Sequence, residues 1–492
     1  MTSPYQPGAT PPPGCPAHAH GGAATGPADA FGQDAYAQGS YVQDGYAQDG
    51  YAQEAPVQGG HPLERTEQNA LVRLYDPEFA ADPHRFYAYL RQYGALAPVE
   101  IATGVTAMLV TDYRAALDLL NDDTTWSKDS RSWQATVPAD SAVLPMLGWR
   151  PNALFADGDV HRRLRQVITD SFQLVEPHEL RARVRRAADS LIRKFGARGE
   201  VDLVPEYAQQ LPLLMFNTLF GMPDEYGEQL IAAMGGLMDG ATPEEAASAD
   251  AAFSAYIMEL VTRKKNQRGP DLTSWFLDHL NGLSDDEVIA QIVVTMAAGN
   301  EPLANLIGNA LSRMLSDDRY YSTLSGGALT AQDAINEVLW NDPPMANYSA
   351  HYPRRDVFFH GTWVRAGQLV LVSYAAANTQ FGEVALDDRS GSGAHLAWAS
   401  GPHSCPVQRH ALVIATTAIE RLTAWLSDIE LSVPAEELQW RPGGFQRALA
   451  ALPARFTPIT PDQAGATPWD SSSSPSTRPD PISTQRQTAS AS

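Results

Sequence analysis

Residues 395–422 read HLAWASGPHSCPVQRHALVIATTAIERL. A Gly/Pro-rich turn, Ser400-Gly401-Pro402, leads through His403 to Cys405, and apolar residues then recur at helical spacing to the end of the stretch. A thiol at a helix N-terminus faces unpaired backbone N–H groups and the positive end of the helix dipole, both of which favour thiolate. Thiolate is what a metal ion or an electrophile needs. On these residues alone Cys405 is a buried inert cysteine, a nucleophile or a metal ligand. The only other cysteine is Cys15, so neither a disulfide framework nor a Cys-rich zinc site can be built.

The chain around this stretch is acidic: 57 Asp and Glu against 35 Lys and Arg give a formal charge of −22. Such a surface repels phosphate backbones and anionic lipid, which argues against nucleic acid as a partner. With 492 residues, 44% of them hydrophobic, there is enough material for one large core or two ordinary ones. The opening MTSPYQPGATPPPGC has neither the basic region nor the apolar core of a secretory signal. No stretch approaches the ~18 consecutive apolar residues of a membrane span. The cytoplasm is the expected location.

Composition divides the chain into three. Residues 1–66 are rich in Pro, Gly, Ala and Gln and carry a five-residue repeat that puts Tyr36, Tyr41, Tyr46 and Tyr51 in register. That period matches neither helix nor strand, and the aliphatic content is too low to offset the entropy of ordering, so this tail is expected to be disordered. Residues 463–492, rich in Ser and Pro, are expected to be disordered too. Residues 67–462 are globular and mostly helical. YRAALDLLNDD, residues 161–172 and HELRARVRRAADSLIRKF carry apolar residues at helical spacing, while TAMLVT and GTWVRAGQLVLVSY read as short strands. The expected fold class is mainly α with small β-sheets.

One helix is longer than the rest. Ser284 and Glu287 form a capping-box signature, and apolar periodicity then runs from 288 to about 315. About 30 residues at about 1.5 Å each span ~45 Å, enough to cross a domain. AAGNEP lies in its middle, with Ala298, Gly299, Glu301 and Pro302. Pro302 cannot donate to the Ala298 carbonyl and its ring crowds that oxygen, so the helix is expected to bend or open there.

Together these segments resemble the cytochrome P450 family, soluble bacterial type. Its signature, Phe-Gly-x-Gly-x-His/Arg-x-Cys-x-Gly, is met at Gly401, His403 and Cys405, with Trp398, Ala399 and Val407 in place of the Phe, the first Gly and the last Gly. DGDVHRRLRQVITDSF (157–172) looks like the family's DPPxHxRLR helix. AGNEP stands where the family has Ala-Gly-x-Glu-Thr, and AINEVLWNDPP where it has Glu-x-x-Arg, with Glu337 kept and Trp340 in the arginine's place. DPEFAADPHRFYAYLRQYGALAPV with AMLVTDY, and WRPGGFQRALAALPARF, are similar to the usual opening and ending, so the resemblance covers about 71–456.

The resemblance implies the P450 fold, a single helical domain with a long central helix, and haem b (heme b, iron protoporphyrin IX) as cofactor, with Cys405 as axial iron ligand. It implies that His161 and Arg165 contact the haem propionates, that His351 in YSAHYP stands where many bacterial members have another propionate-binding arginine, and that His403, Gly401 and Trp398 are also cofactor-binding. Ala298, Gly299, Glu301 and Pro302 would line the oxygen-binding side, where Pro302 lacks the hydroxyl of the family's proton relay. Arg389 is the expected partner of Glu337. Trp133, Met146, Leu147 and Trp149 (within 129–150) and residues 206–250 would set the substrate.

The expected function is a haem-thiolate monooxygenase acting on a small hydrophobic substrate, with a ferredoxin and ferredoxin reductase as electron source and Arg162, Arg409 and His410 as a basic docking patch. Two alternatives stand beside it: a peroxide-driven peroxygenase, motivated by Pro302, and a degenerate haem protein acting as sensor or scaffold. The Trp340 departure is similar to a bacterial subgroup with ExxW, whose members tend to be encoded beside small-GTPase signalling modules; such a module is a candidate partner.

Overall fold

The computed structural model describes residues 71–239, 243–321, 329–380 and 392–459. The Tyr-repeat and Ser/Pro-rich tails, and Arg389, lie outside the described residues. Strands β1 (Val72–Arg73), β2 (Leu96–Ala102), β3 (Val105–Val110) and β4 (Trp126–Ser127) precede the main helices. These are α1 (Gly158–Gln173), α2 (Pro177–Phe195), α3 (Gln210–Leu219), α4 (Asp285–Ser316) and α5 (Ala331–Asn341). Strands β5 (Ala350–Pro353) and β6 (Val370–Val372) follow, and α6 (Gln408–Trp425) comes after the Cys405 loop. Shorter helices and strands connect them. The mainly α class with small sheets holds.

The sheet order is β1-β2-β3-β6-β5-β4. β2 and β3 form an antiparallel pair with Leu96 opposite Val110, β3 runs parallel to β6, and β5 is antiparallel to both β6 and β4. Exposure alternates along β2, as a strand with one face in the core requires. Ser127 pairs with Tyr352, and His351 with Val370. That register sets the residue after β4, Lys128, beside the start of β5.

The helical half is held by faces with 3.6-residue spacing. Leu180, Val184, Ala188, Leu191 and Phe195 of α2 are fully buried, as are Ala415, Ala418, Ile419 and Leu422 of α6 and Ile307, Ala310 and Leu311 of α4. Each buried Leu or Ile contributes about 2 kcal/mol of transfer free energy. One polar clamp crosses this core: Arg421 on α6 donates to both carboxylate oxygens of Asp189 on α2 (2.6 and 2.9 Å), and the Trp425 indole adds a third bond at 2.8 Å.

Helix α4 is where the periodicity places it. Both arms of the capping box form: Glu287 N–H donates to Ser284 Oγ (3.2 Å) and Ser284 N–H to the Glu287 carboxylate (2.9 Å). The helix continues without interruption through Pro302, so the proline ends nothing. What it removes is the N–H that Ala298 would otherwise accept.

Glu337 on α5 is not left without partners by the arginine-to-tryptophan change. Its carboxylate accepts from the Tyr320 hydroxyl (3.2 Å) and lies 3.3 Å from Arg313 Nε at the end of α4. Trp340 donates its indole N–H to the Ser392 carbonyl (3.1 Å) and meets His395 edge-on at 5.7 Å. An aromatic N–H thus ties α5 to the chain leading into the Cys405 loop.

Candidate functional site

The Cys405 loop is a tight turn set by two left-handed residues, Ala399 (φ 57°) and Gly401 (φ 69°). Gly401 has a second reason to be glycine: a Cβ there would stand 2.2 Å from the Leu120 carbonyl oxygen. Ser404 N–H donates to the Gly401 carbonyl (3.1 Å) and Cys405 N–H to the Trp398 carbonyl (2.9 Å), closing the loop on itself. Trp398 lies alongside, its buried indole N–H without a hydrogen-bond partner among the described residues.

Helix α6 starts at Gln408 with Val407 as its cap, so Cys405 sits just outside the helix end. Burial pushes its thiol up, and the Val407 N–H and the Arg165 charge pull it down without overcoming burial. The expected preference for thiolate is therefore not delivered by the polypeptide alone. Coordination to a metal ion would deprotonate such a thiol outright.

Helix α1 brings its basic face against this loop. The Arg165 guanidinium donates to the Ser404 carbonyl, and His161 stacks on His403 with centroids 3.8 Å apart and planes 26° from parallel. His351, on β5, is buried with Nδ1 3.0 Å from the Ser349 carbonyl oxygen. The four residues expected together are together.

A fifth basic residue joins them, which the sequence did not flag. Lys128 is 6% exposed, and its Nζ donates to Ser349 Oγ and to the Ala350 carbonyl, both at 2.9 Å. Burial lowers every titratable member. His161 falls to about 4 by burial and then by the Arg165 charge, and His351 and His403 lie well below the ordinary histidine value through burial and then Lys128. Lys128 itself is pushed down to about 7, with Asp157 acting the other way. Asp157 is already committed to the Ser127 hydroxyl (2.5 Å), the Lys128 backbone N–H (2.9 Å) and Arg354 (2.9 Å). Basic groups packed this densely beside a cysteine suit a metal-bearing group with carboxylates on one edge.

On α4, Met296 and Asn300 are buried, and Ala297 and Ala298 between them are exposed. Gly299 turns the other way: a Cβ on it would stand 2.6 Å from the Phe216 ring, so its small size serves contact with α3. Glu301 is held in an ion pair by Arg441 from the C-terminal segment, beside Pro302. Trp133 packs on Tyr352 (5.9 Å) and Trp149 lies under the Arg131 guanidinium (4.9 Å), so each already has a partner. Arg162 is exposed and pairs with Asp159, Arg409 is exposed, and His410 is half-buried with its ring against Phe172.

No protein-family model matches the chain. Cytochrome P450 107B1 of Saccharopolyspora erythraea is 29% identical over 394 residues, covering 77% of this chain and 96% of that protein. The cytochrome P450 monooxygenase PikC of Streptomyces venezuelae is 30% identical over 389 residues, 77% of this chain and 92% of its own length. Among solved structures, CYP154C4 from Streptomyces sp. ATCC 11861 superposes with a TM-score of 0.71 at 27% identity, covering 78% of this chain and 98% of that one. With near-complete coverage of such relatives, and a helical fold that gathers a cysteine loop and a buried basic cluster, the chain belongs to the cytochrome P450 family of haem b monooxygenases.

Proposed function

We propose that Cys405 Sγ would hold the haem iron and that the protein inserts one oxygen atom from O2 into a C–H bond of a small hydrophobic substrate. A ferredoxin and its reductase would supply the electrons, and the second oxygen atom leaves as water. The observation that carries this reading is the convergence of the Cys405 loop with the buried basic residues of α1 and β5. Haem, when bound, supplies the activation of O2; a thiolate ligand favours O–O cleavage.

The chain's own residues do the positioning. His161, Arg165, His351 and His403 would hold the haem carboxylates and orient the group against the Cys405 loop. Gly401 lets the loop pass against the Leu120 carbonyl while Trp398 covers its flank. Ala298 leaves room on the opposite side of the ring. Pro302 has no hydroxyl to pass a proton, so delivery falls to water near Glu301, whose carboxylate Arg441 orients. This arrangement also supports a second reading, peroxide-driven oxygenation, because a peroxide brings its own protons and electrons. Exposed Arg162 and Arg409 would meet an acidic redox partner, where pairing with Asp159 limits the former.

A reduced, CO-bound absorption spectrum tests the ligand: a Soret band near ~450 nm is expected, and a band near ~420 nm overturns thiolate ligation. NADPH-linked against peroxide-driven turnover on a substrate panel then separates the two readings. Tightly coupled NADPH turnover sinks the peroxide route.

A further inference from the structure

The cation that the site description leaves unexplained is Lys128. It follows β4, is buried, and reaches across to β5, where both acceptors of its ammonium group are neutral oxygens. An ammonium has three protons, and the third meets no acceptor among the described residues. No carboxylate pairs with Nζ there either, since Asp157 takes only the backbone N–H of Lys128 and is otherwise tied to Ser127 and Arg354. A buried charge without a counter-ion costs several kcal/mol. Its neighbours sharpen the problem: Lys128 acts on His161, His351 and His403 alike, and each of these disfavours further positive charge. Burial therefore holds the Lys128 ammonium down at about 7, and an anion brought beside Nζ would stabilise its charged form.

We propose that Lys128 is a binding residue for a haem carboxylate, reaching it from the edge strand beside His351. The inference rests on the haem-thiolate reading above. The anion must lie on the same side as the His161–His403 stack, beside the ligand loop, and the carboxylate edge of a bound tetrapyrrole is the group that brings two negative charges there. The third ammonium proton is the one it receives, giving a charge-assisted bond in a dry site. Lys128 thereby acts on cofactor retention and on the iron's potential, with no part in the oxygen chemistry.

The test uses the full-length holoprotein and two readouts besides turnover: the rate of haem transfer to excess apomyoglobin and the ferric/ferrous midpoint potential. Lys128→Met, with Lys128→Gln as a second neutral variant in case one folds poorly, is expected to release haem about tenfold to a hundredfold faster. Its midpoint potential should move to more negative values, because a positive charge beside the haem favours the reduced, more negative state. The reduced CO band should stay near ~450 nm, since Cys405 is untouched. Lys128→Arg, and the double variant Lys128→Met with His351→Arg, should recover most of the retention and the potential. Wild-type release and potential in the neutral variants overturn the proposal. So does faster release that neither arginine variant restores, which would mark Lys128 as a prop for Ser349 and Ala350. A wild-type protein without the ~450 nm band overturns the haem-thiolate reading, and this inference with it; a normal band with unaltered neutral variants overturns the inference alone.

Discussion

His395 shows what a single buried side chain costs in this fold. It lies against the Trp340 indole, its Nδ1 has no hydrogen-bond partner among the described residues, and burial pushes it down to about 4. The folded protein therefore holds it neutral, while the unfolded chain takes up a proton near the ordinary value of about 6.5. Below that value the unfolded state binds more protons, so stability rises with pH in this window. The contribution is complete above about 6.5 and is lost as pH falls toward about 4, reaching on the order of 3 kcal/mol. His395→Phe should flatten the fall of the unfolding midpoint between pH 7 and pH 4.5. An unchanged slope would show that other groups carry the acid sensitivity.

At the scale of elements, α4 holds the departure with the largest chemical consequence. Pro302 costs its helix an N–H donor and crowds the preceding turn, a penalty of about 3 kcal/mol in an ordinary helix interior. The capping box at Ser284 and Glu287 and the buried stretch after Pro302 hold the helix together in spite of it. Pro302→Thr restores both the N–H toward Ala298 and a hydroxyl beside Glu301. It should raise the unfolding midpoint by the equivalent of about 2 kcal/mol and lower the fraction of NADPH lost to peroxide. A stability gain with no change in coupling would separate the two effects and leave proton delivery to Glu301 and water. α5 is anchored at two points, by the Trp340 N–H on the Ser392 carbonyl and by Arg313 on Glu337.

Across the whole molecule, the helical half depends on a polar tie in an apolar interior. Arg421 and Asp189 join α6 to α2 with both groups buried, and Tyr207 donates to the Ala418 carbonyl nearby (2.7 Å). Removing one partner leaves the other charged and dry, so Asp189→Ala should destabilise by about 3–5 kcal/mol, measured by chemical unfolding of the holoprotein. A loss under about 1 kcal/mol would mean that water reaches Arg421. Because α6 begins at the Cys405 loop, the same change is expected to loosen haem before the protein unfolds.

What the sequence determined by itself is what short-range physics controls. Helical spacing of apolar residues, the Ser284–Glu287 box and the turn around Gly401 are each encoded within a few residues. Segments matched in order pointed to Cys405, His161, Arg165, His351 and His403 as members of one candidate site. Lys128 was invisible at that level, because its acceptors Ser349 and Ala350 lie more than two hundred positions away and meet it only through the β4–β5 pairing. The Arg441 partner of Glu301 and the Arg313 partner of Glu337 were hidden for the same reason. The protonation of Cys405 went the other way: a helix end favours thiolate, but burial, which only the packed structure sets, outweighs it. Local sequence chose the elements; tertiary packing decided which charges face one another, since desolvation and counter-ion placement exist only once distant strands and helices meet.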